Sequence, residues 1–428
     1  MTIASQPEKK TWQNTLSLAL SALGILVFTT LALLLVFFGT SMSGFLAAPE
    51  AQLITGGMLV WASILFALAL MPVFVLSLRA YRGKNAPTWL DLQGQPTVRK
   101  VILWSILLWP LAILAGWQVA GSPALARFLL GPINLLVAGL PVLWIFNLAQ
   151  WKLKGGSPLR KWRIFSFSLT VTPVIIMVLE IVTAVMLLGG VGLWWSARGA
   201  LDPELQQTLT DLMDQIRRGG EDLDAFVQFL EPLLLQPAVI VWGLAVFAGV
   251  MPVIEEVVKP LALWALAGKR ITEAEGFVGG LLAGAGFALL ENVLFFTTAT
   301  GADDWLFLAV GRAGTGLLHM LASGLVGWGL AKMWGNGKWI QQVLATLGAI
   351  LLHSLWNALS LASGILPFVT VQGEITLAQT LLAYLPTIGL LIFSALAMLI
   401  INRRLRRQDA VATPSPDVLT PSEEEWTQ

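Results

Sequence analysis

The stretch 237–267, PAVIVWGLAVFAGVMPVIEEVVKPLALWALA, decides how the chain is read. It is apolar and long enough to cross a bilayer, for which about 20 residues suffice, yet it carries Glu255, Glu256 and Lys259. A charged side chain at the bilayer centre costs roughly 2.5–3.5 kcal/mol on insertion scales, so such groups face a protein interior or a wet cavity and mark function. Glu255 precedes Lys259 by four residues, and on a helix the two can pair along one face while Glu256 points about 100° away. This spacing gives Glu255 a partner and leaves Glu256 for chemistry. Pro252 and Pro260 each remove an amide and disturb the carbonyl four residues earlier, at Ala248 and Glu256, which predicts a kinked helix beside a wet cavity.

Nine other apolar runs are long enough to span, at 15–39, 53–78, 101–121, 131–149, 166–195, 276–299, 308–331, 341–363 and 376–401. With 56% hydrophobic and 12% charged residues, and a mean hydropathy of +0.77, the 428-residue chain has too little polar surface for a soluble globule. The expected fold is an all-α polytopic membrane protein of about ten transmembrane helices. The absence of cysteine excludes disulfides, thiolate nucleophiles and cysteine-ligated metals. Of the 26 Lys and Arg residues, 20 fall in the N-terminal tail, alternate loops and the C-terminal tail. The positive-inside rule therefore predicts both termini in the cytoplasm of a multi-pass plasma-membrane protein.

Residues 1–14 read as a cytoplasmic tail, and the first apolar run, at about 25 residues, exceeds a signal-peptide core of roughly 7–15, so it is expected to be retained. Residues 15–195 form five helices of unassigned role, with Glu180 as their single carboxylate and Asn134 and Asn147 among their few strongly polar groups. Residues 196–236 are acidic and hold two short amphipathic patterns, Leu205 to Ile216 and Phe226 to Leu233, which predict an external interfacial hairpin. Residues 402–428 are expected to form a cytoplasmic tail, disordered where Pro, Ser, Thr and Glu dominate.

The remaining strong ionisable groups within spans lie in 237–401. The seventh run holds Phe287-Ala288-Leu289-Leu290-Glu291-Asn292, the eighth His319, and the ninth His353 with Asn357 one turn on. These are the two histidines of the chain. At 1.5 Å per residue, Glu256, His319 and His353 all lie roughly 16–20 Å deep from one face and Glu291 roughly 22 Å. Any one of them could serve packing, since a lone membrane histidine or asparagine often hydrogen-bonds a neighbouring helix. Four helices that bring ionisable groups to one level point to a site.

Glutamates, histidines and asparagines without cysteine suit water activation. A buried glutamate can take a proton from water while imidazole or amide groups hold an oxyanion. Equally, His319, His353 and Glu291 can supply the three ligands of an open catalytic Zn2+ site, with another glutamate as base. No organic cofactor is called for. There is no His-Glu-x-x-His element and no aspartate pair in the spans, and a dyad of Ser323 with His353 lacks the Gly-x-Ser-Gly context.

At these residues the chain resembles the PrsW family of intramembrane proteases, relatives of the CPBP (Abi) and CAAX-processing membrane endopeptidases. The resemblance rests on Glu255-Glu256-x-x-Lys259, Phe287-x-x-x-Glu291-Asn292, a histidine in the next helix, and His353-x-x-x-Asn357. Where relatives often carry a third glutamate before the pair, this chain has Ile254. The resemblance covers roughly 237–401 and implies hydrolysis of a membrane-anchored protein, in some relatives an anti-sigma factor. It further implies that Glu255, Glu256, Glu291, His319 and His353 are catalytic, with Lys259, Asn292 and Asn357 in support, and that a metalloprotease or a metal-free glutamate mechanism operates. The expected partners are the bilayer and a membrane-anchored substrate, with no nucleic acid. A proton-coupled transporter is the rival reading, because midplane Glu/His groups and broken helices also serve transport. An inactive scaffold is the third.

Overall fold

A computed structural model describes residues 12–41, 50–91, 95–197, 207, 237–299, 301–369 and 377–411. Among them there is no strand, and ten helices are long and apolar enough to cross a membrane, each coinciding with one of the ten predicted runs. In chain order the α-helices are α1 (Trp12–Ser41), α2 (Glu50–Tyr81), α3 (Pro96–Ser105), α4 (Trp109–Ala120), α5 (Pro123–Ala149), α6 (Pro158–Thr170), α7 (Thr172–Ala197), α8 (Pro237–Leu244), α9 (Met251–Val258), α10 (Leu261–Trp264), α11 (Glu273–Phe295), α12 (Ala302–Gly311), α13 (Ala313–Asn336), α14 (Trp339–Val369) and α15 (Leu377–Val411). Several crossing segments are built from two of these. Leu33, Leu111, Met186 and Leu351 are exposed, whereas Glu256, Lys259, His319 and His353 are buried. Apolar groups outward and charges inward suit a chain solvated by lipid.

The chain divides into two compact units. The first comprises Met1–Thr170, Lys259–Ala349 and Leu391–Gln428, and its centre is α11, 89% of whose most apolar stretch is buried. Thr272 caps α11 in a reciprocal pair with Glu275, which satisfies amides that the first turn leaves open. Glu273 then binds Lys332 and the Trp328 indole, fastening α11 to the end of α13. Along the shared face, a Cβ on Gly276, Gly280 or Gly284 would strike the backbone carbonyls of Gly327, Ser323 and His319 respectively. Glycine at every fourth position lets the two backbones touch. That approach carries His319 to α11.

Further from this seam, Trp305 of α12 is fully buried and donates its indole N–H to Asn134 Oδ1 at 2.8 Å. Asn134 thus satisfies a buried donor that α5 and α12 would otherwise strand. Asn147 donates to the Arg99 carbonyl at 3.5 Å.

The second unit comprises Val171–Val258 and Ile350–Leu390. Here α9 packs on α7, the helix that carries Glu180. The expected backbone disturbance ahead of Pro252 takes the form of a π-helical stretch, Ala245–Val250. Ahead of Pro260, α9 ends at Val258, because that proline offers no amide to the Glu256 carbonyl. The predicted external segment 196–236 lies outside the described residues except for 196, 197 and 207. At the other end, α15 continues past Arg407 to Val411, and residues 412–428 of the expected tail are outside the description.

Candidate active site

In the second unit, α9 presents Glu255 and Glu256 on adjacent faces, both buried, and α14 brings His353, also buried. His353 Nδ1 lies 2.9 Å from Glu256 Oε1, a hydrogen bond, while Nε2 is 3.8 Å from Glu255 Oε2, beyond hydrogen-bond reach. One turn along α14, Asn357 Nδ2 donates to the Phe247 carbonyl at 2.8 Å. Phe247 belongs to the π-helical stretch, where the displaced backbone ladder makes carbonyls available to outside donors. Two contacts a turn apart therefore set α14 against the helix that bears the glutamates. One ligand atom each from Glu255, Glu256 and His353 lie within 4.8 Å of one another. An imidazole with two carboxylates is a donor set that could hold a metal ion.

In the first unit, Lys259 and His319 are buried and Lys259 Nζ lies 2.8 Å from His319 Nδ1. An ammonium can only donate, so Nδ1 accepts and the ring proton is assigned to Nε2. Nε2 in turn lies 2.8 Å from Glu291 Oε2. Phe287 packs against both bases. Its ring face lies 4.4 Å from Lys259 Nζ, and it meets the His319 ring edge-on at 5.2 Å.

Behind Glu291 stands Arg312. Its Nη2 is 2.6 Å from Glu291 Oε2, and its Nε donates to Asn292 Oδ1 at 2.8 Å. Asn292 Nδ2 donates back to the Arg312 carbonyl at 3.4 Å. The guanidinium also lies 3.8 Å above the centre of the Phe295 ring. The result is a continuous series, Lys259, His319, Glu291, Arg312, in which the carboxylate is held from two sides.

Each of the eight residues that the resemblance names as catalytic or supporting thus takes part in one of these two sets. Glu255, Glu256, His353 and Asn357 make up one; Lys259, Glu291, Asn292 and His319 belong to the other. Sequence reasoning missed Arg312, which is not among the 20 Lys and Arg residues of the tails and alternate loops. The available signal was spacing, since Arg312 precedes His319 by seven residues, two helical turns, and so can share its face. Phe287 was quoted as a motif letter and turns out to support both Lys259 and His319.

Residues 224–391 match the family model described as PrsW family intramembrane metalloprotease. All the residues of both sets fall inside that range, and α1 to α7 fall outside it. No curated protein and no solved structure matches the chain.

Proposed function

We propose that this chain, whose residues 224–391 match the PrsW family intramembrane metalloprotease model, is a protease of that kind and hydrolyses a peptide bond of a membrane-anchored protein with Glu256 as the base for the attacking water. The observation that carries this reading is a fully buried carboxylate on a membrane-crossing helix, held at 2.9 Å by His353 Nδ1. Such a group is expensive to place there and is set up for proton transfer.

In this reading Glu256 takes the water proton as the water oxygen bonds to the scissile carbonyl carbon. It returns that proton to the amide nitrogen as the C–N bond breaks. His353 aims the carboxylate. The negative charge that builds on the carbonyl oxygen needs a fixed donor or cation. Glu291 and Arg312 hold the far side of His319.

The family description names a metal, and the donors at this site suit one. Glu255, Glu256 and His353 are the residues that would hold a zinc-type ion, which would acidify a water and polarise the substrate carbonyl. The same carboxylates would then divide holding and proton transfer between them. Both termini in the cytoplasm and residence in the plasma membrane complete the proposal, from the distribution of Lys and Arg.

The test is a comparison of protein N-termini in membranes of cells producing the wild-type chain or Glu256→Gln. New termini within or beside apolar spans should appear with wild type alone. Identical sets of termini would sink the protease reading, and substrate-coupled proton uptake into proteoliposomes would install the transporter in its place.

A further inference from the structure

The first unit contains a cavity of about 280 Å³ whose lining includes none of the residues assigned to catalysis. It lies where α2, α5, α6 and α11 meet, and follows α5 from Leu135 to Gln150, a rise of about 22 Å. Its walls are apolar along this length, with Gln150 and Lys161 together at one end and Leu135 and Leu289 toward the other. Protein interiors are normally filled to crystal density. Here α5 presents Gly139 toward α11, and even an added Cβ would come no nearer than 3.9 Å to Leu289. Gly139 thus leaves one wall of the slot without a side chain, and Gln150 and Lys161 make part of its lining polar.

Leu90, Gln150, Lys161 and Trp162 of its lining belong to strongly cationic segments. Residues 79–100 and 150–163 together contain ten Lys and Arg against one acidic residue, Asp91. Asp91 is engaged by Lys161 at 3.0 Å. One leaflet of hydrocarbon is about 15 Å thick, so a slot of this length takes a whole acyl chain. A tail in the apolar part would bring its headgroup to the cationic end.

We propose that this cavity holds one acyl chain of an anionic phospholipid, with the headgroup phosphate set among the Lys and Arg residues of 79–100 and 150–163. The lipid would lie against Leu289, two residues from Glu291, and so brace the helix that carries that carboxylate. The proposal stands apart from the protease reading and needs no activity to test it.

The full chain, purified in detergent and stripped of lipid, is exposed to phosphatidylglycerol or to phosphatidylcholine and examined by native mass spectrometry. One phosphatidylglycerol should be retained per chain in preference to phosphatidylcholine. Gly139→Leu, which obstructs the slot, should abolish retention, while Gly139→Ala should keep it. Lys161→Gln should weaken the preference roughly fivefold, as expected for one basic residue near an anionic lipid surface. Equal retention of the two lipids by wild type, or unchanged retention by Gly139→Leu, would overturn the proposal. Independently of how Gly139→Leu folds, phosphatidylglycerol bearing a diazirine on its acyl chain provides a second measurement on wild type. Labels concentrated on α5 and α11 peptides support the slot; labels spread over the outward faces of α1 and α4 refute it.

Discussion

Arg312 Nη2 stands 2.6 Å from the same Glu291 oxygen that lies 2.8 Å from His319 Nε2. The guanidinium therefore acts on the histidine at one remove, by fixing the carboxylate that accepts its proton. Arg312→Met should lower kcat about 10–100-fold, the usual cost of losing an outer partner of a site residue, with KM little changed. Arg312→Lys should recover only part, since an ammonium cannot serve Glu291 and Asn292 through the two-pronged geometry of a guanidinium. Full activity in Arg312→Met would mean that Glu291 needs no such support.

The two adjacent glutamates should separate on substitution. Glu256→Gln keeps a hydrogen-bonding group beside His353 but cannot accept a proton from water, so cleavage should fall about 100- to 10,000-fold. Glu255→Gln should cost less, because Glu255 lies 3.8 Å from His353 and outside hydrogen-bond reach. Single-turnover cleavage of a substrate found by N-terminal profiling distinguishes them, and the reverse order of effects would move the base to Glu255.

Metal content gives a readout that does not depend on knowing the substrate. Equilibrium dialysis of wild type against Zn2+ should leave a stoichiometric ion on the chain, lost in His353→Ala and in Glu255→Gln. Retention by both variants would place the ion elsewhere, and active wild type free of metal would favour glutamate acting alone.

The seam between α11 and α13 makes a prediction about folding. Gly280→Ala adds a Cβ that meets the Ser323 carbonyl, and overpacking of this kind costs about 1–3 kcal/mol. Gly311→Ala, with nothing within 4 Å of the added carbon, should be tolerated. Thermal unfolding of the purified variants checks the contrast, and equal midpoints would show that the helices can slide apart freely.

The spans were readable because bilayer thickness dictates the length of an apolar run and helices are the one open-ended way to satisfy its backbone. Depth counting likewise brought out the ionisable residues, since rise per residue is constant. Partnerships were harder. Lys259 follows directly on α9, which ends at Val258, and its ammonium meets His319, a partner on another helix that spacing along one helix could not name. Arg312 was visible as a charge, yet sequence alone gives no direction to a side chain at the junction of two helices. Asn357 was assigned to support, though its acceptor, the Phe247 carbonyl, could not be named without the π-helical stretch.

That stretch, Ala245–Val250, has a consequence for how the gene can change. A π-helical turn accommodates one residue more than an α-helical turn of similar rise, and each residue advances a helix by about 100°. The extra residue is thus absorbed within the wide turn, and losing any single one of these six lets the helix revert to α geometry with Glu255 and Glu256 still in phase. What such a deletion removes is the free Phe247 carbonyl that receives Asn357. A one-codon deletion well upstream of the glutamates would therefore spare the pair itself and loosen the hold of α14 on their helix.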